Sequence, residues 1–411
     1  MSSNEPQALH DEVLVVGAGP VGLSAALALR AHGRAVTLLE AEPEGRSRPG
    51  SRAIFIHRAS LQLLEQIRPG LGREIASHGL VWPTKRTMWR GKNVYTRHYS
   101  TPKPDELPPF TSLPQVEIER YLLKACHDAG VTFVWNQPVS EVKTTPEGVE
   151  VITASGQKRT ADYLIGADGA RSTIRRSLGI AMEGSRSENS YVVVDIAEDP
   201  DAPLPIERVF HYEHPAIGAR NVLLVPFVGG WRVDLQCYDH DNPEEFSGME
   251  GARQWIAKVM PPKYAERITW VSTYQFLQVI ATRFTDEHNR VLLVGEAAHL
   301  FAPFGARGMN SGIPDAVAAA EAIDTSLKTN NADKARAAVE VFEKTRHAAA
   351  EYNCAAAGQA LAHIKTRSLT MQAKRNIAAL LAPYWKNAGR WLDEGPYGPR
   401  SGPPGQASGK Y

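Results

Sequence analysis

A glycine-rich turn between an apolar strand and a helix constrains the fold of this chain more than any other sequence feature. The short apolar run 13–16 is followed at once by the turn GAGPVG, residues 17–22. Gly17 permits a tight turn, Gly19 lets the backbone approach a phosphate closely, and Gly22 allows the helix to pack on the strand. Amides at the start of that helix supply unpaired N–H groups and positive potential, so the turn indicates a phosphate-binding site.

A second strand, residues 35–39, follows the helix and ends at Glu40. A carboxylate at this position accepts a hydrogen bond from a ribose hydroxyl, whereas Glu40 alone would be read as a solvated acid at a strand end. The order of strand, glycine turn, helix, second strand and acid indicates a dinucleotide-binding unit. It does not distinguish NAD from FAD.

A second strand end in the middle of the chain carries glycine and an acid. An apolar strand runs into Asp168-Gly169, and a helix begins near residue 172. An Asp-Gly turn and a capping serine also occur without any ligand, so this segment alone would not indicate a site.

A third strand end has the same character. The apolar strand 291–294 ends in Gly295 and Glu296, and the glycine-punctuated segment 303–310 leads to a helix predicted over 315–327. Amides at a helix start stabilise negative charge on a ring system. Three such strand ends suit a large cofactor that lies across several strands.

Composition excludes several other classes of protein. A chain of 411 residues with 43% hydrophobic and 22% charged residues is typical of a globular protein. The net charge of +1 provides no basic surface for nucleic acid. The three cysteines occur singly and the histidines lack ligand spacing, which predicts a cytoplasmic protein without a metal site. No apolar run reaches the roughly 18 residues that span a bilayer, so no membrane insertion is expected.

Taken together and in order, the three strand ends resemble the single-component FAD-dependent aromatic hydroxylases, the para-hydroxybenzoate hydroxylase class of flavoprotein monooxygenases. The resemblance extends over nearly the whole chain to about residue 330. It implies that FAD is the cofactor and NAD(P)H the co-substrate, and that O2 forms a flavin C4a-hydroperoxide that hydroxylates an aromatic or polyketide-like small molecule. The alternatives are a flavin-dependent reductase or oxidase on the same fold, or a non-catalytic FAD-binding protein.

The resemblance also assigns roles to individual residues. The positions that match cofactor contacts are Gly17, Gly19, Gly22, Glu40, Arg52, Gln115, Asp168, Gly169, Arg171, Arg175, Gly295, Glu296, Gly308, Met309 and Asn310. Pro303 matches the residue near the flavin C4a and is predicted to be catalytic. Glu296 departs from the family, which usually has Asp there. The longer side chain keeps a carboxylate acceptor, so FAD binding is still expected, with the ribityl side of the site shifted.

The fold class implied is α/β: a Rossmann-like FAD-binding domain with an inserted β-rich substrate domain and C-terminal helices. The predicted boundaries are 1–75, 110–184 and 286–330 for the FAD-binding domain, 76–109 and 185–285 for the substrate domain, 331–395 for the helical region, and 396–411 for a disordered tail. A homodimer is compatible with the sequence, which does not fix the oligomeric state.

Flavin chemistry requires no acid–base triad, so the useful protein group is one that hydrogen-bonds or deprotonates a phenol. The candidates in the β-rich region are Tyr191, His211, Tyr212 and Tyr238. His211 and Tyr212, adjacent in VFHYEH, are predicted to be catalytic, with packing in a strand as the alternative. Aromatic residues are expected to line the substrate pocket or to fill a sheet core, namely Trp82, Trp89, Phe227, Trp231 and Tyr274.

Overall fold

The computed structural model of the chain describes residues 9–46, 48–100, 102–103, 105–365 and 368–399, without the side chains of residues 186–189. The strands are β1 (Leu9–Val16), β2 (Val36–Leu39), β3 (Phe55–His57), β4 (Thr84–Trp89), β5 (Lys92–His98), β6 (Phe110–Ser112), β7 (Thr132–Val134), β8 (Val139–Thr144), β9 (Val149–Thr153), β10 (Lys158–Gly166), β11 (Met182–Ala197), β12 (Glu207–His214), β13 (Arg220–Phe227), β14 (Gly230–Gln236), β15 (Ile268–Ala281), β16 (Val291–Leu293) and β17 (His299–Leu300). The helices are α1 (Pro20–Ala31), α2 (Arg58–Ile67), α3 (Leu71–His78), α4 (Gln115–Asp128), α5 (Thr173–Ser177), α6 (Pro243–Ser247), α7 (Met249–Val259), α8 (Arg307–Lys328), α9 (Ala332–Ile364), α10 (Leu369–Leu381) and α11 (Lys386–Glu394).

The first sheet carries all three predicted strand ends. Its order is β7-β2-β1-β10-β9-β8, and β16 also pairs with β10. Strands β7, β2, β1, β10 and β16 run parallel, so their carboxyl ends lie along one edge. Residues 13–16 of β1 are buried, as expected for a central parallel strand. Helix α1 packs against α4 and α8, and its residues 22–29 are buried.

The second sheet has eight strands in the order β17-β15-β11-β14-β13-β12-β4-β5. All neighbours are antiparallel except β12 and β4, which run parallel. Residues of β12 alternate between buried and half-buried, the period of a strand with one face on a core. A small antiparallel sheet pairs β3, which leads directly into α2, with β6, which precedes α4. The α/β class predicted from the sequence is confirmed.

Most predicted elements occur close to their expected bounds, and helix α8 differs most. It begins at Arg307, whereas the sequence pattern predicts a start at residue 315. Pro314 lies inside the helix. Proline is uncommon in a helix interior, so the sequence favours the later start. The earlier start brings Gly308 and Met309 into the first turn of the helix.

The predicted disordered tail begins too early at residue 396. Residues 395–397 form a 3-10 turn in which Pro396 is buried, and the ring of Tyr397 contacts Lys85 and Arg208. These contacts fix residues 396–399 against the rest of the protein. Residues 400–411 lie outside the described residues.

The longest helix, α9, has 33 residues and packs against α8. Charged residues recur along it, including Asp333, Glu343 and Arg346. Within the described part of the chain, neither α9 nor any other helix combines the length and apolarity needed to cross a bilayer.

Candidate functional site

A cavity of about 1360 Å³ lies at the carboxyl edge of the first sheet and extends to the second sheet. The predicted site residues that line it are Gly17, Gly19, Glu40, Arg52, Gln115, Asp168, Gly169, Arg171, Glu296, Pro303, Gly308 and Met309. Those predicted residues outside its lining are Gly22, Arg175, His211, Tyr212, Gly295 and Asn310. The structure therefore brings residues from all three strand ends around one space.

The first glycine turn has the geometry that its sequence predicts. Gly17 has φ of 105°, and a Cβ added there would lie 2.4 Å from the Ala167 carbonyl oxygen. A Cβ on Gly22 would lie 1.9 Å from the Gly17 oxygen. No atom lies within 4 Å of a Cβ added to Gly19, the N-cap of α1, which has no side-chain cap. Gly17 and Gly22 thus allow close packing, and Gly19 leaves an open approach to the helix amides for phosphate.

Glu40 directly follows β2, is buried and lines the cavity. Its carboxylate accepts from the Ala18 N–H at 2.6 Å and the Glu42 N–H at 3.0 Å, and it pairs with Arg46 at 2.6 Å. Burial alone would raise the pKa of Glu40, but these donors more than offset it and lower the pKa below its ordinary value. Glu40 is therefore a fixed carboxylate that can accept from a ribose.

Asp168 forms the second polar strand end. One carboxylate oxygen caps α5 by accepting from the Thr173 N–H at 2.7 Å and the Ile174 N–H at 3.1 Å. The other oxygen, Oδ1, is buried and has no hydrogen-bond partner among the described residues. Burial raises the pKa of Asp168. An orphaned acceptor in the cavity wall fits a hydroxyl donor of a bound cofactor.

Arg175 and Arg171 of the second motif have different positions. Arg175 is buried and donates to the Ala297 carbonyl at 2.9 Å and the Ala170 carbonyl at 3.3 Å, so it ties the second strand end to the third. Arg171 is exposed and lines the cavity. Arg175 thus holds the two loops together, whereas Arg171 is accessible to a ligand.

The third strand end turns at Gly295, which has φ of 58° and packs against Val21 of α1. Glu296 follows this turn and lines the cavity, and its side chain is exposed to the open space of the cavity. Partial loss of hydration between the cavity walls raises the pKa of Glu296, although His299, Arg52 and Arg48 act in the opposite direction. Glu296 thus faces the same space as Asp168.

Sequence reasoning missed the group that holds this third turn. Asp315 of α8 is fully buried and accepts from the Gly295 N–H at 3.1 Å, His299 Nε2 at 2.6 Å and Arg346 Nε at 2.7 Å. Burial would raise the pKa of Asp315, but Arg346 and His299 lower it to about 2. In the sequence, the one indication of this role is that Asp315 is an acid within the otherwise apolar stretch 313–320.

The first turn of α8 forms another part of the cavity wall. Ala306 precedes it in the left-handed region with φ of 54°, and a Cβ on Gly308 would meet no atom within 4 Å. The side chain of Asn310 does not line the cavity. It accepts from the His57 N–H at 2.9 Å and donates to the Phe55 carbonyl at 2.9 Å, which fixes the helix start against β3. The open amides of the turn can therefore face a bound ring.

The loop that carries Arg52 is fixed by the second sheet. Asp195 of β11 accepts from the Ser51 hydroxyl at 2.7 Å, and Arg232 of β14 donates to the Arg52 carbonyl. The Arg52 Nε is buried without a hydrogen-bond partner among the described residues. Gln115 accepts weakly from the Ala53 N–H at 3.4 Å. Arg52 is thus positioned with a donor left for a cofactor.

The far end of the cavity is mainly aromatic and apolar. Its lining side chains include Trp82, Tyr99, Phe110, Tyr191, Phe210, Leu223, Phe276 and Phe304. Of the aromatic residues predicted from the sequence, Trp82 and Tyr274 line the cavity, whereas Trp89, Trp231 and Phe227 lie outside its lining. Sequence reasoning also missed two buried cations in this wall, Lys85 and Arg208.

Of the four predicted phenol-activating residues, Tyr191 alone lines the cavity. Tyr212 is fully buried under α11, where its hydroxyl donates to the Leu392 carbonyl at 2.7 Å and lies 3.0 Å from His363 Nε2. The Tyr238 hydroxyl donates to the Ala219 carbonyl at 2.7 Å. Burial and the neighbouring His214 lower the pKa of His211 to about 4. The positions of His211 and Tyr212 give their predicted catalytic role no support.

Comparisons with known proteins agree with this geometry. A family model described as "FAD binding domain" matches residues 10–357. The 6-methylpretetramide 4-monooxygenase of Streptomyces rimosus is 28% identical over 323 residues, covering 76% of this chain and 55% of that protein. The dialkyldecalin synthase of Streptomyces rugosporus is 26% identical over 321 residues, covering 75% of this chain and 64% of that protein.

A solved structure shares the whole architecture. The p-nitrophenol 4-monooxygenase of Pseudomonas putida DLL-E4 aligns with a TM-score of 0.77 and 22% identity, covering 95% of this chain and all of that one. The chain spans little more than half the length of the first of the curated relatives above. The structural likeness establishes the fold, and the family match establishes the cofactor type.

Proposed function

Because the chain belongs to the FAD-binding-domain family, we propose that it is an FAD-dependent monooxygenase that uses NAD(P)H and O2 to hydroxylate an aromatic or polyketide-like small molecule. One observation carries this proposal: a single cavity joins the three cofactor-type strand ends to a wall of aromatic side chains. A ring held against that wall would share an enclosed space with the flavin. The relatives named as monooxygenases support the same reaction class.

The residues at the cofactor end of the cavity fit FAD. The open approach at Gly19 suits the pyrophosphate, Glu40 suits a ribose, and the orphaned Asp168 Oδ1 suits a hydroxyl donor. Arg52 offers a buried donor without a partner among the described residues. When bound, FAD supplies electron uptake from NAD(P)H and oxygen transfer from its C4a position.

The protein's own task is to position the ring and to exclude water. Pro303 lines the cavity and is the predicted catalytic residue that the proposal retains. The first turn of α8 presents amides and positive potential to the cavity through Gly308 and Met309. Tyr191 replaces His211 and Tyr212 as the side chain best placed to contact a substrate hydroxyl, because its own hydroxyl is buried beside the cavity without a partner among the described residues.

Spectra and coupled turnover test the proposal. Purified protein is expected to be yellow and to release FAD on denaturation. A panel of phenols should stimulate NAD(P)H oxidation, with one atom of labelled O2 appearing in the product. Flavin-loaded protein that never consumes NAD(P)H with any phenol or polyketide would overturn the monooxygenase assignment.

A second candidate function is the synthesis of a decalin ring system by cyclisation, since the chain is 26% identical to a dialkyldecalin synthase. A cyclase would convert a polyene substrate without NAD(P)H or O2. A flavin reductase or oxidase would consume reductant or O2 but place no labelled oxygen in the organic product. Anaerobic incubation and product labelling therefore separate the three activities.

A further inference from the structure

Arg208 is a buried cation that no carboxylate in the described part of the chain neutralises. Its side chain belongs to β12 and faces the cavity, and the residue is only 8% exposed. Among the described residues, no acid lies within ion-pair distance of its guanidinium and none accepts a hydrogen bond from it. The guanidinium lies over the ring of Tyr397, with its central carbon 4.3 Å from the ring centroid. A buried charge without a partner is costly and needs an explanation.

A second cation lies directly beside it. Lys85 of β4 is the register partner of Arg208 in the parallel β4–β12 pair, and it is 5% exposed. The Lys85 ammonium contacts Asp393 at 2.9 Å and lies 3.9 Å from the centroid of the same Tyr397 ring. Burial lowers the pKa of Lys85 to about 7, with Asp393 opposing the change and Arg208 adding to it. The positive charge of Arg208 thus makes the charged form of Lys85 less favourable.

The nearby charges leave one cation in excess. Arg97 pairs with Asp393 at 2.7 Å and with Glu394 at 2.8 Å, so Lys85 and Arg97 already engage both acids. The other charged pair in this wall is closed as well, because Arg232 and Asp234 contact each other at 2.7 Å. Arg208 therefore remains as the positive group of this aromatic wall that is available to a ligand.

The C-terminal segment completes this corner of the cavity. The Tyr397 hydroxyl is buried without a hydrogen-bond partner among the described residues. The backbone carbonyl of Tyr397 accepts a hydrogen bond at 3.0 Å from Arg307, the first residue of α8. Gly398 has φ of 64°, and a Cβ there would lie 2.1 Å from the Ala356 carbonyl oxygen, so the segment is held firmly on α9. The Tyr397 hydroxyl and the Arg208 guanidinium thus lie beside the same part of the cavity.

We propose that Arg208, with Lys85 and Tyr397, binds the carboxylate of an aromatic acid substrate. A planar guanidinium matches a carboxylate with two parallel hydrogen bonds, and the adjacent aromatic wall would hold the ring. The inference rests on the proposed function and narrows its substrate class to aromatic carboxylates. It also gives Tyr397 and the C-terminal segment a role in the site.

Binding to FAD-loaded protein tests the inference without turnover. The probes are the isomeric hydroxybenzoates, each compared with its carboxamide, and the readout is the perturbation of the flavin absorbance. We expect at least one acid to bind about tenfold or more tightly than its amide, since a charge-assisted pair contributes at least that factor. Arg208→Met should remove this preference, whereas Arg86→Met should keep it. Arg86 is the neighbour of Lys85 in β4, lies outside the cavity lining and pairs with Glu207 at 2.6 Å.

The outcomes separate this inference from the proposed function. Equal binding of acids and amides, or an unchanged preference in Arg208→Met with a lowered Tm, would show a structural cluster and overturn the inference. If neutral phenols still stimulate NAD(P)H oxidation, the proposed function stands without it. If acids bind in an Arg208-dependent way but no compound is oxidised, the inference stands and the monooxygenase assignment fails.

Discussion

The cofactor half and the substrate half of the cavity are built by different means. The cofactor half is formed by backbone turns, in which Gly17, Gly169 and Gly295 have φ of 105°, 79° and 58°. The substrate half is formed by side chains that neighbouring strands bring into register, such as Lys85 beside Arg208. A surface made of backbone requires glycine at fixed positions. A surface made of side chains tolerates substitution and sets specificity, so mutations in the two halves should differ in kind.

The largest expected effect is on the glycine turn. In Gly22→Ala the new Cβ would lie 1.9 Å from the Gly17 carbonyl oxygen, so the helix start must move away from the strand end. We expect a loss of about 5 kcal/mol in the free energy of unfolding and protein without bound FAD. Urea unfolding and the ratio of flavin to protein absorbance measure both effects.

Gly19→Ala is the matched control, because its Cβ would meet no protein atom within 4 Å. We expect this variant to fold with a change in stability of roughly 0.5 kcal/mol while binding FAD more weakly, since the methyl group occupies the approach of the phosphates. Equal stability losses in the two variants would contradict the assignment of different roles to the two glycines.

The difference between backbone turns and paired side chains also explains which half of the cavity the sequence predicts. Turns at Gly17, Asp168 and Gly295 depend on residue types at short local spacing, so the motif predicts both the fold and the cofactor side. Lys85 and Arg208 are 123 positions apart in the chain, and their meeting depends on the pairing of β4 with β12. No local pattern reports such a pairing. His211 is predicted wrongly as a cavity residue because strand alternation alone does not show which face of β12 meets the cavity. Tyr212 shares the face of Arg208 and Phe210, but α11 covers it, and no local pattern reports that contact.

The buried charge cluster under the third strand end should give the next largest effect. Asp315→Asn removes the charge that pairs with Arg346, which is itself 8% exposed, and leaves that arginine uncompensated. We expect a loss of about 4 kcal/mol in the free energy of unfolding. Glu340→Gln, an exposed acid on α9, should leave stability within about 0.5 kcal/mol. A loss in the control as large as that in Asp315→Asn would show that general charge, and not this cluster, matters.

Acidification should destabilise the contact of α9 with Tyr212 before it affects this cluster. Burial, with a smaller contribution from Arg375, lowers the pKa of His363 to about 4. Between pH 6.5 and 4 the unfolded chain binds a proton that folded His363 does not, so stability falls as pH falls, by roughly 3 kcal/mol. The stabilisation from Asp315, whose folded pKa is about 2, is lost only below about pH 4.

His363→Gln tests the source of this pH dependence. Glutamine can still donate to the Tyr212 hydroxyl oxygen but does not titrate, so the fall in stability between pH 6.5 and 4 should become smaller. Urea unfolding at several pH values measures the slope. His10→Gln, at an exposed position of β1, should leave the slope unchanged. An unaltered slope in His363→Gln would assign the acid sensitivity to other groups.

The smallest expected effect distinguishes a substrate contact from a structural hydroxyl. The Tyr191 hydroxyl is buried without a partner among the described residues, so Tyr191→Phe should change the free energy of unfolding by less than about 0.5 kcal/mol. If the hydroxyl contacts substrate, KM for the best phenol should rise about tenfold. Tyr212→Phe removes the bond to the Leu392 carbonyl and should cost about 1.5 kcal/mol with KM unchanged. The reverse pattern, with KM altered in Tyr212→Phe alone, would return the catalytic role to the residue that the sequence first indicated.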